Sequence, residues 1–202
     1  MLDNDQARKT VSKAIMPIIN VLERFKVSPD AITWIGGLGT LASAVVFVSQ
    51  GKFFIGALLI GLFSMSDLLD GALARRLGIS GPWGAFLDST FDRVSDAAVI
   101  GSLAYYYLAD SLNPKSALGI ACLVALVMGQ LTSYARARAE GIGVDCKVGI
   151  AERAERSLIL WLGMLATGLG LDILPYAIYL LAFLSTITVG QRIVHVYQQT
   201  HL

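Results

Sequence analysis

Long apolar stretches constrain this chain more than any other feature of its sequence. A helix needs roughly 20 apolar residues to cross the hydrocarbon core of a membrane, and stretches of about that length recur along the chain. They lie near 31–50, 53–75, 85–109, 115–135, 157–171 and 173–191. With 55% hydrophobic and only 15% charged residues among 202, the chain is too apolar for a water-soluble domain. We therefore predict an all-α integral membrane protein with six transmembrane helices.

The segment before the first apolar stretch has a different pattern. Residues 6–27 place apolar side chains at helical spacing opposite Arg8, Lys9 and Lys13, which predicts an amphipathic helix lying in the membrane interface. Because these basic residues are interleaved with apolar ones, the segment is not expected to be a cleaved signal peptide. We expect one membrane domain over 1–202, with the interfacial helix at about 6–27 and the six-helix bundle at about 29–198.

The distribution of positive charge predicts the orientation in the membrane. If the six helices alternate across the bilayer, the side that carries both termini holds all but Lys52 and Lys115 of the 16 Lys and Arg residues. An excess of Lys and Arg marks the cytoplasmic side. The sequence therefore predicts a multi-pass protein of the cell membrane with both termini in the cytoplasm.

Four aspartates occur in two consecutive predicted spans. Asp67 and Asp70 are three residues apart, and therefore lie on one face of their helix. Asp88 and Asp92 are four residues apart in the next span, and the same argument holds. An unpaired carboxylate inside a membrane costs at least ~2.5 kcal/mol, which binding of a divalent cation would offset. Oxygen ligands suit Mg²⁺ and Mn²⁺, so we predict a cation site.

The arrangement also suits a pair of metal ions. Two ions roughly 3.5–4 Å apart can hold both the attacking and the leaving oxygen of a phosphoryl transfer. If the two spans pack antiparallel, the short turn after Arg75 brings both aspartate pairs to one face of the membrane. A cation transporter with carboxylates along its pathway is an alternative. The clustering of acidic residues at one membrane face, with no ionisable partners in the outer half of the bundle, disfavours it.

A signature motif spans the same aspartates. The chain reads DLLDGALAR at 67–75 and, after eight residues, GAFLDSTFD at 84–92. This resembles the CDP-alcohol phosphotransferase signature D-x-x-D-G-x-x-A-R-x₈-G-x-x-x-D-x-x-x-D at all eight of its defining positions. The six spans and the N-terminal amphipathic helix are also similar to that family.

The resemblance implies an enzyme that moves a phosphatidyl group from CDP-diacylglycerol to an alcohol and releases CMP. It implies two metal ions, Mg²⁺ or Mn²⁺, of which the first is held by Asp67, Asp70 and Asp88 and the second by Asp70, Asp88 and Asp92. Asp92 would also act as the base that takes the proton of the acceptor hydroxyl, or would serve only as a ligand. Residues implied in binding CDP-diacylglycerol are Asp30, Ala31, Ile32, Thr33, Gly71, Arg75 and Gly81.

Arginines dominate two polar stretches beyond the signature, SYARARAE at 133–140 and ERAER at 152–156. These stretches resemble those of prokaryotic phosphatidylinositol-phosphate synthases, which implies inositol 1-phosphate as the acceptor. Guanidinium groups bind phosphate bidentately, although arginines at helix ends also act as topological anchors. Candidate contacts to the acceptor phosphate are Ser133, Arg136, Arg138, Arg153, Arg156 and Arg192. Glycerol 3-phosphate is the alternative acceptor.

Other expectations are less tied to a motif. Small-residue faces and the family resemblance favour a homodimer, and no nucleic-acid partner is expected. Asp96 continues the four-residue spacing past Asp92 but lies outside the signature, and it receives no role from the sequence.

Overall fold

The computed structural model describes residues 15–109 and 116–201, and within these ranges the chain is helical with no strand. A first helix, α1, covers 15–24. The other α-helices are α2 (Pro29–Val46), α3 (Phe53–Ser64), α4 (Ser66–Leu77), α5 (Pro82–Ala109), α6 (Ser116–Glu140), α7 (Arg153–Gly168) and α8 (Leu174–Thr200). A 3₁₀ turn at Val48–Gln50 extends α2. Of the predicted interfacial helix at 6–27, the part at 15–24 is helical, and residues 1–14 lie outside the described residues.

Four helical stretches in the described part of the chain are long and apolar enough to cross a membrane. They are Pro29–Gln50, Phe53–Leu77, Ser116–Glu140 and Leu174–Thr200. The predicted third span corresponds to α5, which has 28 residues but carries several charged side chains in its first half. The predicted fifth span corresponds to α7, whose 16 residues measure about 24 Å at 1.5 Å per residue. Membrane crossing by α5 and α7 therefore stays a prediction.

The start of α2 follows from its sequence. Ser28 has an extended backbone and its hydroxyl accepts a hydrogen bond from the Ala31 N–H at 3.2 Å, while Pro29 occupies the first turn. Serine at the cap and proline in the first turn are the residues that favour a helix start. The predicted beginning of the first span at this point is confirmed.

The second predicted span is not one continuous helix. Met65 separates α3 from α4, and its N–H bonds to the Leu62 carbonyl at 3.3 Å, which is the tighter i to i−3 pattern. The sequence does not reveal the break, because Met65 is a good helix former and neither Gly nor Pro stands beside it. The consequence is that Asp67 lies in the first turn of a new helix, where free backbone N–H groups favour negative charge.

Helix α2 packs against both aspartate-bearing helices. It contacts α4 on one side and α5 on the other, whereas α4 and α5 make few direct contacts with each other. The aspartates of the second and third spans are therefore brought together mainly by the packing of both helices on α2. Two glycines make this possible: a Cβ at Gly36 would collide with the Ser66 side chain, and one at Gly37 with the Phe91 ring. Their small size lets α2 approach α4 and α5 closely.

The main apolar core lies at the other end of the bundle. It joins the end of α2 with α3, the second half of α5, and α6, α7 and α8. Its fully buried members include Ala44, Val48, Ala57, Leu103 and Cys122, each at 0% exposure. The helices thus pack tightly at one end and leave cavities beside the aspartates at the other.

Candidate metal and nucleotide site

Three of the four signature aspartates form a compact cluster. Asp67, Asp70 and Asp88 each offer a carboxylate oxygen, and these three oxygens lie within 4.8 Å of one another. Asp67 is exposed, Asp88 half-buried and Asp70 buried. Helices α4 and α5 make few contacts with each other. Their carboxylates converge because both helices pack against α2.

Asp70 is fixed in place by neutral donors. The Thr33 hydroxyl on α2 donates to Asp70 Oδ2 at 2.5 Å, and the Gly71 N–H donates to Oδ1 at 2.5 Å. Both Thr33 and Asp70 are only 7% exposed. Each carboxylate oxygen retains a lone pair, so the hydrogen bonds orient the group without using up its capacity to bind a cation.

The cluster fits a divalent cation. All three groups are hard oxygen donors, which Mg²⁺ and Mn²⁺ prefer, and they converge from two helices to within the span of one coordination sphere. Neutral donors fix Asp70 in this arrangement, and the guanidinium of Arg153 is 3.9 Å from Asp67. We conclude that the residues present suit a divalent metal ion bound to Asp67, Asp70 and Asp88.

Asp92 has a different environment. Its Oδ1 forms an ion pair with Arg153 Nη1 at 2.8 Å, and its Oδ2 lies 3.9 Å from Arg93 Nη2. It is not a member of the compact cluster. Its predicted roles as a second-site ligand and as a base stay predictions.

A cavity of about 510 Å³ opens beside the metal cluster. It is lined by the three clustered aspartates and by five of the residues predicted to bind CDP-diacylglycerol: Asp30, Thr33, Gly71, Arg75 and Gly81. The structure brings these residues together around one space. The other two predicted residues, Ala31 and Ile32, do not line it.

Two contacts shape this cavity. The Trp83 indole N–H donates to Asp30 Oδ2 at 2.9 Å and so ties the start of α5 to the start of α2. Gly71 faces the Arg75 side chain, since a Cβ there would lie 3.3 Å from Arg75 Nη1. A larger residue at position 71 would restrict the arginine that the sequence predicts to contact phosphate.

The predicted acceptor residues divide into two sets. Arg153 and Arg156 line a second, largely apolar cavity, which Asp67 and Asp96 also line. Arg156 is 5% exposed and donates to the Ala151 carbonyl at 3.1 Å.

The remaining four lie outside the residues that line this cavity. Arg192 is 3% exposed and donates to the backbone carbonyls of Val148 and Thr132. Arg136 pairs with Glu140 at 2.9 Å, Ser133 donates to the Gly129 carbonyl at 3.5 Å, and Arg138 is exposed. Contact of these four residues with an acceptor stays a prediction.

The structure also reveals roles that the sequence did not indicate. Trp83 fills one of the variable positions of the signature, and it hydrogen-bonds Asp30. Thr33 was predicted as a nucleotide contact, yet its hydroxyl also orients Asp70. Asp96 lies 3.7 Å from Arg153 Nε. The four-residue spacing from Asp92 was the available signal for Asp96, and nothing local in the sequence pairs it with a residue on α7.

Comparison with known proteins gives consistent results. The family model for CDP-alcohol phosphatidyltransferase matches residues 26–190. The chain is 41% identical, over an alignment 206 positions long, to phosphatidylinositol phosphate synthase of Streptomyces avermitilis, covering 98% of this chain and 83% of that protein. The crystal structure of the Mycobacterium tuberculosis phosphatidylinositol phosphate synthase with CDP-diacylglycerol bound is similar at a TM-score of 0.83 and 37% identity, over 90% of this chain and 92% of that one. The structure of the same M. tuberculosis protein in complex with manganese and citrate gives a TM-score of 0.84, with 90% and 88% coverage.

Proposed function

The chain belongs to the CDP-alcohol phosphatidyltransferase family, and we propose that it transfers the phosphatidyl group of CDP-diacylglycerol to inositol 1-phosphate. The products are phosphatidylinositol phosphate and CMP. The observation that carries this proposal is the convergence of three aspartate oxygens within 4.8 Å on the wall of a cavity that also gathers Asp30, Arg75 and Gly81. Relatives at 35–41% identity carry the name phosphatidylinositol phosphate synthase, which supports the choice of acceptor.

The proposed metal site holds two divalent cations, Mg²⁺ or Mn²⁺. Asp67, Asp70 and Asp88 would bind the first, and Asp70, Asp88 and Asp92 the second. When bound, such ions neutralise phosphate charge and stabilise the leaving group. The manganese complex of the M. tuberculosis relative and the hard oxygen donors of the cluster support divalent metal use.

The nucleotide is proposed to bind in the 510 Å³ cavity. Arg75 is exposed at its edge, and its guanidinium is suited to phosphate oxygens. Gly71 leaves room for that side chain, and Asp30, held by Trp83, also lines the cavity. The residues Ala31, Ile32, Thr33 and Gly81 complete the proposed binding segments.

Asp92 is proposed as the general base. Because Asp92 Oδ1 accepts from Arg153 at 2.8 Å, Oδ2 is the oxygen available to take the proton of the acceptor hydroxyl. Loss of that proton strengthens the alcohol as a nucleophile for attack on the phosphorus that carries diacylglycerol. A role as metal ligand alone is the alternative for this residue.

The acceptor phosphate is proposed to meet the arginine-rich side of the site. Arg153 lies within hydrogen-bonding distance of Asp92. A phosphate bound by the Arg153 guanidinium would therefore lie near Asp92, the proposed base. Ser133, Arg136, Arg138, Arg156 and Arg192 are the further proposed contacts. Glycerol 3-phosphate, a smaller phosphorylated alcohol, is the competing acceptor.

We also propose the membrane arrangement. In it, α5 and α7 cross the bilayer together with the four apolar stretches, and α1 lies in the cytoplasmic interface. Exposed apolar side chains on and just after α1, such as Val21 at 53% and Phe25 at 74%, support contact with lipid. The active site and both termini face the cytoplasm of the cell membrane, and the protein forms a homodimer.

The deciding experiment is CMP release by purified protein with CDP-diacylglycerol and Mg²⁺ or Mn²⁺. Inositol 1-phosphate, glycerol 3-phosphate and free inositol are compared as acceptors, and we expect turnover with inositol 1-phosphate alone. A preference for glycerol 3-phosphate would overturn the acceptor assignment and keep the family chemistry. Ion flux into proteoliposomes without CMP release would instead favour a transporter.

A further inference from the structure

We infer that Asp96 is a positioning residue that acts through Arg153 and controls how strongly this arginine competes with a divalent cation for Asp92. The inference rests on the proposed function insofar as a cation binds beside Asp92. It concerns a residue outside the signature motif and outside the compact aspartate cluster. Asp96 would offer Arg153 a second carboxylate to pair with besides Asp92.

Arg153, the first residue of α7, faces three carboxylates from two other helices. Its Nη1 is 2.8 Å from Asp92 Oδ1 and 3.9 Å from Asp67 Oδ2, and its Nε is 3.7 Å from Asp96 Oδ1. Asp92 and Asp96 are one turn apart on α5, so a single guanidinium can reach both. A cation that uses Asp92 has to compete with an arginine already paired to it.

The hydrogen bonding of Arg153 is incomplete on the Asp96 side. Arg153 Nε is buried and has no hydrogen-bond partner among the residues that the structure describes, although the Asp96 carboxylate is 3.7 Å away. N–H to carboxylate hydrogen bonds are usually about 2.9 Å long. A displacement of roughly 1 Å toward Asp96 would complete this bond and loosen the one to Asp92.

Three arginines surround Asp96. The charges of Arg153, Arg156 and Arg93 all act on it, and its side chain is 21% exposed against 42% for Asp67. Asp96 is therefore less exposed than Asp67 and lies on the arginine side of the site. These surroundings suit a carboxylate that pairs with Arg153. They differ from those of Asp67, a proposed cation ligand that is open to solvent.

Removing one charge at a time cannot separate this mechanism from simple electrostatics. Loss of any nearby carboxylate weakens cation binding, and loss of any nearby arginine strengthens it. The two accounts differ in a double-mutant cycle. If Asp96 acts through Arg153, its substitution has no effect once the arginine is gone, whereas a direct effect of its charge persists.

The experiment is Mn²⁺ binding by electron paramagnetic resonance to detergent-purified protein without substrates. Asp96→Asn is compared with Arg153→Gln, with the double variant, and with Asp145→Asn, an exposed aspartate paired with Lys147, as the control. We expect Asp96→Asn to weaken Mn²⁺ binding roughly 3- to 10-fold and Arg153→Gln to strengthen it. The double variant should match Arg153→Gln, and the control should match the unmodified protein.

Asp96→Glu keeps a carboxylate for Arg153 and should restore binding, which also guards against a fold that fails with asparagine. Equal weakening by Asp96→Asn in both backgrounds, or none in either, would overturn the inference. These results are independent of turnover: normal CMP release without coupling would reject this inference alone, and coupling without CMP release would reject the proposed function alone. Absence of Mn²⁺ binding would overturn the inference and the metal assignment together.

Discussion

The two groups of aspartates differ in what neutralises them. Asp67, Asp70 and Asp88 converge within 4.8 Å; Asp70 accepts from neutral donors such as the Thr33 hydroxyl, and Arg153 comes only within 3.9 Å of Asp67. Asp92 and Asp96, one and two turns beyond Asp88 on α5, lie closer to Arg153, at 2.8 and 3.7 Å. The first group is arranged to bind a cation from outside the protein. The second group is neutralised by an arginine of the protein itself.

This difference teaches that a motif can be uniform in sequence and divided in function. The signature treats its four aspartates alike, yet the protein surrounds them unequally. A carboxylate already paired with an arginine responds to a cation by exchanging partners, whereas an unpaired one simply binds it. Four substitutions test how sharp this division is.

The largest effect is expected from Asp70→Asn. This change removes a carboxylate from the centre of the cluster while keeping its shape, and the loss of a ligand should exceed the 10- to 100-fold typical of outer-shell changes. We expect CMP release and Mn²⁺ binding to fall together by at least ~100-fold. Asp145→Asn serves as the control. Preserved Mn²⁺ binding in Asp70→Asn would mean that the cluster is not the cation site.

The next effect separates the two groups. Asp92→Asn should lower kcat by about 10²- to 10⁴-fold, as expected for loss of a general base, while Mn²⁺ still binds to the first group. Turnover is followed by CMP release and cation binding by resonance spectroscopy. If both fall in parallel, Asp92 is a ligand of the same kind as Asp70 and the division between the groups disappears.

A smaller effect is expected from Thr33→Val, which removes the hydroxyl that orients Asp70 and that also lies 3.2 Å from the Pro29 carbonyl. Loss of such an outer partner typically costs 10- to 100-fold in metal affinity, and we expect about 10-fold for this neutral donor. Thr33→Ser keeps the hydroxyl and is the matched control. Equal weakening in both variants would place the effect in helix packing, because serine lacks only the methyl group.

The smallest effect concerns the nucleotide cavity. Trp83→Phe keeps an aromatic ring but removes the N–H that donates to Asp30, a bond worth about 1 kcal/mol. We expect the KM for CDP-diacylglycerol to rise roughly 2- to 10-fold with the KM for the acceptor unchanged. A change in the acceptor KM would show that the cavity beside the first group is not reserved for the nucleotide.

Much of the fold could be predicted because hydropathy and helix caps act locally. The helix start at Ser28 and Pro29 is confirmed, and the apolar stretches correspond to helices throughout the described residues. The break at Met65 was missed because neither Gly nor Pro, the residues that usually mark a helix break, stands at or beside it. The position of α2 between α4 and α5 was missed because it depends on which glycine meets which partner, and spacing does not reveal that.

The same reasoning applies to the site. A motif predicts which residues act together. The resemblance therefore anticipates two groupings: the cluster of Asp67, Asp70 and Asp88, and the cavity lined by Asp30, Thr33, Gly71, Arg75 and Gly81. Contacts between residues far apart in the sequence cannot be predicted in this way. Arg153 is separated from Asp92 by 61 positions in the sequence (153 − 92), and only packing of α7 against the rest of the bundle decides which carboxylates it meets.

The joint at Met65 bears on how the protein responds to the thickness of its membrane. A helix whose apolar length exceeds the bilayer accommodates the mismatch by tilting, and a rigid span would carry that tilt directly into the aspartates. Here α3 ends at Ser64 and α4 begins at Ser66, while Thr33 and the Gly36–Ser66 contact fasten α4 to α2. Lipid-driven tilting of α3 can therefore be absorbed at the joint, and cation affinity should vary little between short-chain and long-chain lipid bilayers.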